Sequence, residues 1–238
     1  MTIRSGLLIL TVCSVVAAQD QPQPHYVAPG EAGGPPAGAV VLFSGQDVSQ
    51  WVKQDGSPTG CTVERKEMVC RTGAGNAYSK EKFRDAQLHL EFLVPDMKEQ
   101  ERAQRRGNSG VYLQGRYEVQ ILDSIDNPTY PQGVLGAIYG TAAPLVNAGR
   151  PVGQWQTYDI VFRGPRCYED QLVSPGTVTV LLNGVLVQDH VSLRYRPNAC
   201  AERKVGEPGP LMLQDHSNFK DPPHTEMRFR NIWLRHLD

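Results

Sequence analysis

The stretch RGNSGVYLQGRYEVQILD, residues 106–123, constrains the fold more than any other part of the chain. Val111 and Leu113 alternate with Tyr112 and Gln114. After a Gly-Arg turn, Tyr117, Val119 and Ile121 alternate with Glu118 and Gln120. A period of two with one apolar face predicts two half-buried antiparallel strands. The pattern recurs along the chain. QLHLEFLVP sets Leu88, Leu90, Phe92 and Val94 on one face, and WQTYDIVFRG does so with Tyr158, Ile160 and Phe162. GTVTVLLNGVLVQD is a hairpin whose Asn183-Gly184 supplies the positive φ angles of a tight turn. GPLMLQDH and MRFRNIWLR add two strands near the end of the chain. Many short strands with Gly and Pro between them predict an all-β fold, an antiparallel β-sandwich or jelly roll. Helical periodicity is scarce. PDMKEQERAQRRGN carries charge all round and predicts a charged loop with at most a helical turn.

The first residues read as a secretory signal. Arg4 is positive, GLLILTVCSVV is a short apolar run, and Val16-Ala17-Ala18 offers small residues for cleavage. The run is too short for a stable membrane-spanning helix. A lipoprotein signal through Cys13 fits less well, because bulky Val12 precedes it. Residues 1–18 are thus a signal peptide, 19–38 a Pro/Gly-rich unpacked linker, and 39–238 one domain, within the range of ~200–250 residues that such sandwiches reach. The protein is expected in the periplasm or outside the cell, with no transmembrane segment. A net charge of −1, mixed along the chain, gives no footprint for nucleic acid or a membrane surface.

Loss of Cys13 with the signal leaves Cys61, Cys70, Cys167 and Cys200. An even count in an exported protein predicts two disulfides. CTVERKEMVC folds on itself if Arg65-Lys66 form a two-residue turn, which sets Cys61 opposite Cys70. That register makes them a non-hydrogen-bonded pair, with α-carbons about 4.5 Å apart and within disulfide range. Cys167–Cys200 follows by elimination.

If the apolar sets point inward, the outward set includes His89, Glu91, Tyr112, Gln114, Glu118, Gln120, Arg163, Gln214 and His216. Such a mixture suits a polyhydroxylated ligand. Glu118 and Gln120 emerge on one face about 7 Å apart. A carboxylate there becomes a general base once burial raises its pKa, with Glu91 a possible second carboxylate. The plainer role for Glu118 is to anchor a loop or pair with Arg163. His216, beside Asp215, suits proton transfer, metal ligation, a sugar hydroxyl or a purely structural bond. Asn108-Ser109-Gly110 either turns backbone amides and the Asn108 side-chain amide toward one point or simply enters a strand, and Tyr139 is either a binding-loop aromatic or a packing residue. His/Asp/Glu pairs of metal-binding spacing are absent, so a metal site would have to be assembled across strands. No phosphate loop or nucleophile elbow is present.

Taken in order, VVLFSGQDVSQW, KFRDAQLHLEF, RGNSGVYLQGRYEVQILD, GAIYG, WQTYDIVFRGPR, LNGVLVQD, GPLMLQDH and FRNIWLR resemble the 3-keto-disaccharide hydrolase family, also described as 3-keto-glucoside 1,2-lyases and 3-keto-2-hydroxyglucal hydratases. The resemblance runs from about Val40 to Leu237. It implies a concanavalin A-like jelly roll, export, and action on glucosides oxidised at the 3-hydroxyl. It implies a base, with Glu118 leading and Glu91 the substitute. Arg163, Asn108 or a bound divalent cation would stabilise an enolate, and His216 would protonate the leaving oxygen. Gln120, Asp123, Tyr139, Gln214 and Asp215 would contact the substrate. No cofactor is otherwise implied. The chain departs from the family at Arg65-Lys66, where Asp-Gly is common, and lengthens two loops, around Lys98–Arg106 and at SNFKDPPHTE. The competing functions are a lectin-like carbohydrate-binding module and an exported scaffold.

Overall fold

Strong alternation with short turns gives strands in succession and almost nothing else. The computed structural model describes residues 23–31, 33–97, 101–195, 198–217 and 223–237; the predicted signal, 1–18, lies outside them. Its strands are β1 (Val40–Phe43), β2 (Trp51–Val52), β3 (Thr62–Glu64), β4 (Glu67–Arg71), β5 (Ala77–Phe83), β6 (Asp85–Leu93), β7 (Ser109–Leu113) and β8 (Tyr117–Ile121). They continue as β9 (Trp155–Arg163), β10 (Arg166–Tyr168), β11 (Gln171–Ser174), β12 (Thr177–Leu182), β13 (Val185–Ser192), β14 (Gly209–Leu213) and β15 (Glu226–His236). A short helix, α1 (Ala199–Arg203), precedes β14.

A large antiparallel sheet runs β13-β12-β9-β6-β15-β4-β3, with β1 also on β15; a smaller one runs β2-β5-β14-β7-β8. The inner faces meet in one core that joins Leu88, Leu90, Phe92, Tyr158, Ile160 and Phe162 of the large sheet to Val111, Leu113, Val119 and Ile121 of the small one. These are the residues that alternation assigned inward, and the all-β antiparallel sandwich is the expected fold. Each such buried side chain contributes about 1.5–3 kcal/mol relative to exposure.

Turn chemistry sets the register. Asn183 and Gly184 both have positive φ, at 53° and 82°, and set Leu182 opposite Val185. Arg65 and Lys66 adopt the same left-handed region without glycine, and Glu64 faces Glu67. Both disulfides are as expected: Cys61–Cys70 with α-carbons 4.4 Å apart, and Cys167–Cys200 at 5.9 Å. Among its described residues the charged PDMKEQERAQRRGN segment contains one 3-10 turn, Ala103–Arg105.

One expectation is corrected. The linker is not wholly unpacked, because the carbonyl of Gly33 accepts from Asn231 Nδ2 at 2.6 Å and Trp233 Nε1 at 3.2 Å on the outer face of the large sheet. The buried Trp233 indole N–H needs an acceptor, and this carbonyl supplies it.

The cross-links close loops of different length, with sequence separations of 9 and 33. Chain entropy therefore predicts losses of about 3 kcal/mol for C61S/C70S and about 4 kcal/mol for C167S/C200S. Urea unfolding of the two double variants checks the order. Equal stability of both with the parent would contradict it.

Candidate active site

The β7–β8 hairpin builds the site. Tyr112 pairs directly with Glu118, and Gly110 with Gln120. Val111 and Val119 face the core, so these four point to the outer face of the small sheet. On the other side of β7, Met212 pairs with Tyr112, and the backbone N–H of Gln214 donates to the Gly110 carbonyl at 3.0 Å. Gln214 therefore lies across Gly110 from Gln120.

Glu118 occupies the middle of this arrangement. Tyr112 donates its hydroxyl to Glu118 Oε2 at 2.7 Å, and Gln214 Nε2 donates to the Tyr112 oxygen at 3.1 Å. A Cβ at position 110 would lie 2.5 Å from Glu118 Oε1. Glycine is thus what lets the carboxylate settle against the strand. Among the described residues no cation pairs with Glu118. Burial pushes its pKa up to about 7, and the Tyr112 hydrogen bond opposes this only in part. Burial and the neighbouring Glu118 charge hold the Tyr112 phenol far above its ordinary range, so it stays a donor. Burial also lowers the pKa of His216, leaving its imidazole neutral at pH 7.

β8 is the last strand of its sheet, and a loop covers its free edge. Gln120 N donates to the Ala137 carbonyl at 2.9 Å, Gly136 N to the Gln120 carbonyl at 3.1 Å, and Tyr139 N to the Glu118 carbonyl at 3.0 Å. These bonds satisfy an otherwise unpaired edge and bring Tyr139 beside Glu118. Tyr139 and Tyr130 share a hydroxyl–hydroxyl bond of 2.6 Å. A cavity of 820 Å³ opens here, lined by Tyr112, Glu118, Ile138 and Tyr139 and continuing past the hairpin tip.

Not every predicted site residue reaches it. Glu91 and Arg163 belong to the large sheet, and Glu91 points away from the core that separates the two sheets. Glu91 pairs with Arg230 at 2.6 Å; Arg163 pairs with Asp85 at 3.2 Å and donates to the Leu237 carbonyl at 3.0 Å. Parity identifies a strand's outward face but not which sheet the strand joins. His89 follows the same rule, bonded to Asp159 at 2.7 Å and stacked on Trp233. Gln114 turns inward, donating to the Phe83 carbonyl at 3.1 Å from a residue with φ of 54°.

Asp123 is engaged in a buried ion pair with Arg106 at 2.8 Å, the two side chains being 1% and 3% exposed. Removing one partner of such a pair costs about 3–5 kcal/mol, a structural role. Asp215 Oδ2 accepts from the N–H groups of Gly73 and Gly75 at 2.9 and 2.8 Å, which anchors that loop. Asn108 Nδ2 donates to the Gln104 carbonyl at 2.7 Å, and Gln120 Nε2 to Gln104 Oε1 and the Gly133 carbonyl, both at 3.2 Å. The opposite amide oxygens, Asn108 Oδ1, Gln120 Oε1 and Gln214 Oε1, are buried acceptors with no hydrogen-bond donor among the described residues.

With this geometry in place, comparison with known proteins is informative. Residues 38–235 match the 3-keto-alpha-glucoside-1,2-lyase-like domain. The chain belongs to that family. A candidate glycosyl hydrolase from Parabacteroides distasonis ATCC 8503 aligns over 99% of this chain and 100% of its own, at 37% identity and a TM-score of 0.82. A second from the same organism covers 84% of this chain and 94% of its own, at 20% identity and a TM-score of 0.58, a likeness of fold. No functionally curated protein matches.

In this 3-keto-α-glucoside-1,2-lyase-like domain, sequence reasoning put Tyr112 on the outward face but missed its bond to Glu118. Counting outward from the Gln114–Arg116 turn would have found it. Arg194 and Tyr195 of the cavity wall gave no signal, because no periodicity ties that loop to β8. Around Glu118 the donors are one carboxylate, neutral amides and phenols. No group of three or more His, Cys, Asp or Glu side chains converges among the described residues. That set does not suit a divalent cation, which favours several carboxylate ligands.

Burial of Glu118 carries a stability cost with a definite sign. Its folded pKa of about 7 exceeds the ordinary 4.5, so the group's contribution is most favourable below pH 4.5 and is lost as pH rises through 7. E118Q should match the parent below pH 4.5 and exceed it by up to about 3 kcal/mol above pH 8, from 1.36 kcal/mol per pKa unit. Urea melts across that range check this. A difference that does not vary with pH would contradict it.

Proposed function

We propose that this chain is an exported enzyme that cleaves 3-keto-α-glucosides by elimination across C1 and C2, followed by hydration, with Glu118 as the base. The observation that carries this reading is a carboxylate with a pKa pushed to about 7, set beside a phenol donor in the wall of an 820 Å³ cavity. A base works best when its pKa lies near the working pH. The family match supplies the substrate class.

The chemistry follows from the ketone. A carbonyl at C3 acidifies the proton on C2, Glu118 removes that proton, and the electron pair delocalises onto the C3 oxygen as an enolate. The enolate re-forms the ketone as the C1–O bond breaks, leaving a C1=C2 double bond in the sugar. Water then adds, hydroxyl to C1 and proton to C2. Tyr112 takes the place first considered for Arg163: its hydroxyl, which donates to Glu118 before the reaction, turns to the enolate oxygen once Glu118 holds the C2 proton, and Gln214 Nε2, donating to the Tyr112 oxygen, supports it. Fixed donors aimed at developing negative charge are a large source of rate. His216 follows Gln214 by two residues, at the end of the site away from Arg116, and its imidazole is neutral at pH 7, so the leaving oxygen takes its proton from water. Tyr139, exposed in the cavity wall, fits contacts to sugar hydroxyls, whereas Gln120 is fully buried and holds the loop along β8. In the ordinary chair of an α-glucoside, C2–H and C1–O are both axial and on opposite faces. The leaving group therefore departs on the face away from Glu118, and its proton does not come from that residue.

Export rests on the two disulfides and on the signal-like residues 1–18, with 19–38 as the linker to the domain. A lectin-like module would need no desolvated titratable carboxylate on its binding face.

The test is NMR of the reaction of a 3-keto-α-glucoside in deuterated water, with E118Q alongside. Elimination predicts an unsaturated 2-hydroxyglucal, or deuterium at C2 of the released sugar, with turnover by E118Q down at least ~100-fold, the scale of general-base loss. Cleavage with no deuterium and no unsaturated sugar, or full turnover by E118Q, would overturn the proposal. Binding of plain glycans without turnover would favour the lectin.

A further inference from the structure

The cavity extends beyond Glu118 into a second compartment that differs in chemistry. At its far end stand Arg116, Tyr117, Leu193, Arg194, Tyr195 and Val205. Tyr117 and Tyr195 meet edge to face with ring centroids 5.9 Å apart. The wall is pinned from outside, because Cys200 of α1 follows the lining residue Ala199 and is bonded to Cys167. This apolar, aromatic compartment has two guanidiniums at its rim, whereas the end at Glu118 carries the carboxylate and the Tyr112 and Tyr139 phenols.

The guanidiniums are under-used. Among the described residues Arg116 donates to backbone carbonyls alone and at long range: Gln114 at 3.4 Å, Glu207 at 3.5 Å and Lys204 at 3.4 Å. The Glu207 carboxylate itself lies on Lys204 at 3.8 Å. Arg194 is exposed, and among the described residues neither it nor Arg116 has an ion pair. By contrast Arg71, Arg105, Arg163, Arg166 and Arg228 all have carboxylate partners. Guanidinium forks suit carboxylates and phosphates, and their hydrogen bonds to an ionised acceptor are about twice as strong as neutral ones.

Orientation decides what enters here. C1 and C3 lie on either side of C2. With the C3 oxygen at Tyr112 and Gln214 on one side of Glu118, the group on C1 points the other way along β8, toward Arg116 and Tyr117. We propose that this compartment is the leaving-group subsite and that it selects a planar, apolar aglycone carrying an anionic substituent, such as an aryl carboxylate. Tyr117 and Tyr195 contact the ring, and Arg116 and Arg194 bind the anion. This rests on the proposed elimination at Glu118 for its orientation, but not for the existence of the anion site.

The experiment compares 4-carboxyphenyl 3-keto-α-glucoside with its methyl ester, in the parent and in R116Q/R194Q. The ratio of kcat/KM for the acid over the ester cancels effects common to both variants, including leaving-group reactivity. The double variant should lower this ratio at least about tenfold, the scale of one charge-assisted contact. A ratio within twofold of the parent would overturn the subsite while leaving the reaction intact. Binding of the unoxidised 4-carboxyphenyl α-glucoside, measured by calorimetry, separates the two ideas. Arg-dependent preference for the acid over its ester with no turnover of any 3-keto-glucoside would uphold the subsite and remove the reaction. Tighter binding of a neutral disaccharide than of the aryl acid would overturn the anionic selection.

Discussion

The site depends on one carboxylate partly shielded from water, with no cation beside it among the described residues. Glu118 rests over Gly110, accepts one hydrogen bond from Tyr112, and has no cation beside it among the described residues. Burying a charge without a partner is unfavourable, and a protein relieves it by raising the pKa. That same shift makes a carboxylate reactive near neutral pH. Stability and chemistry thus pull in opposite directions at this residue, as is common where function has been built into a packed surface.

The rest of the sandwich offsets that local cost. The hairpin fixes Tyr112 across from Glu118, and the loop along β8 occupies the open edge. The buried Tyr158 hydroxyl donates to the Gln120 carbonyl from below at 2.6 Å. Gln104 ties Asn108 and Gln120 to the Gly133 carbonyl, and the Arg106–Asp123 pair holds the start of β7 near the end of β8. Asp123, Asp215, Asn108 and Gln120 thus bond to the segments that frame the hairpin.

Fold and site differ in how far the sequence reveals them, for a physical reason. Strand parity is local, so the inward set of β6, β7, β8 and β9 could be read directly, as could the Cys61–Cys70 register across a two-residue turn. Which sheet a strand joins depends on long-range pairing that periodicity does not encode. Glu91 and Glu118 have the same local pattern, yet they lie on opposite outer faces. Asp123 looked like part of a polar cluster because Arg106, its partner, is 17 residues away in sequence and meets it only in the fold. Tyr195 and Arg194 reach the cavity through a disulfide-pinned loop with no regular period.

The most direct test of the account is a pH titration of the Glu118 side-chain carboxyl by 13C NMR in protein labelled at glutamate, with E118Q used to assign the signal. The account predicts a midpoint near pH 7, well above those of the exposed glutamates. A midpoint near 4.5 would mean a solvated carboxylate, and the argument for Glu118 as a base made by burial would fail.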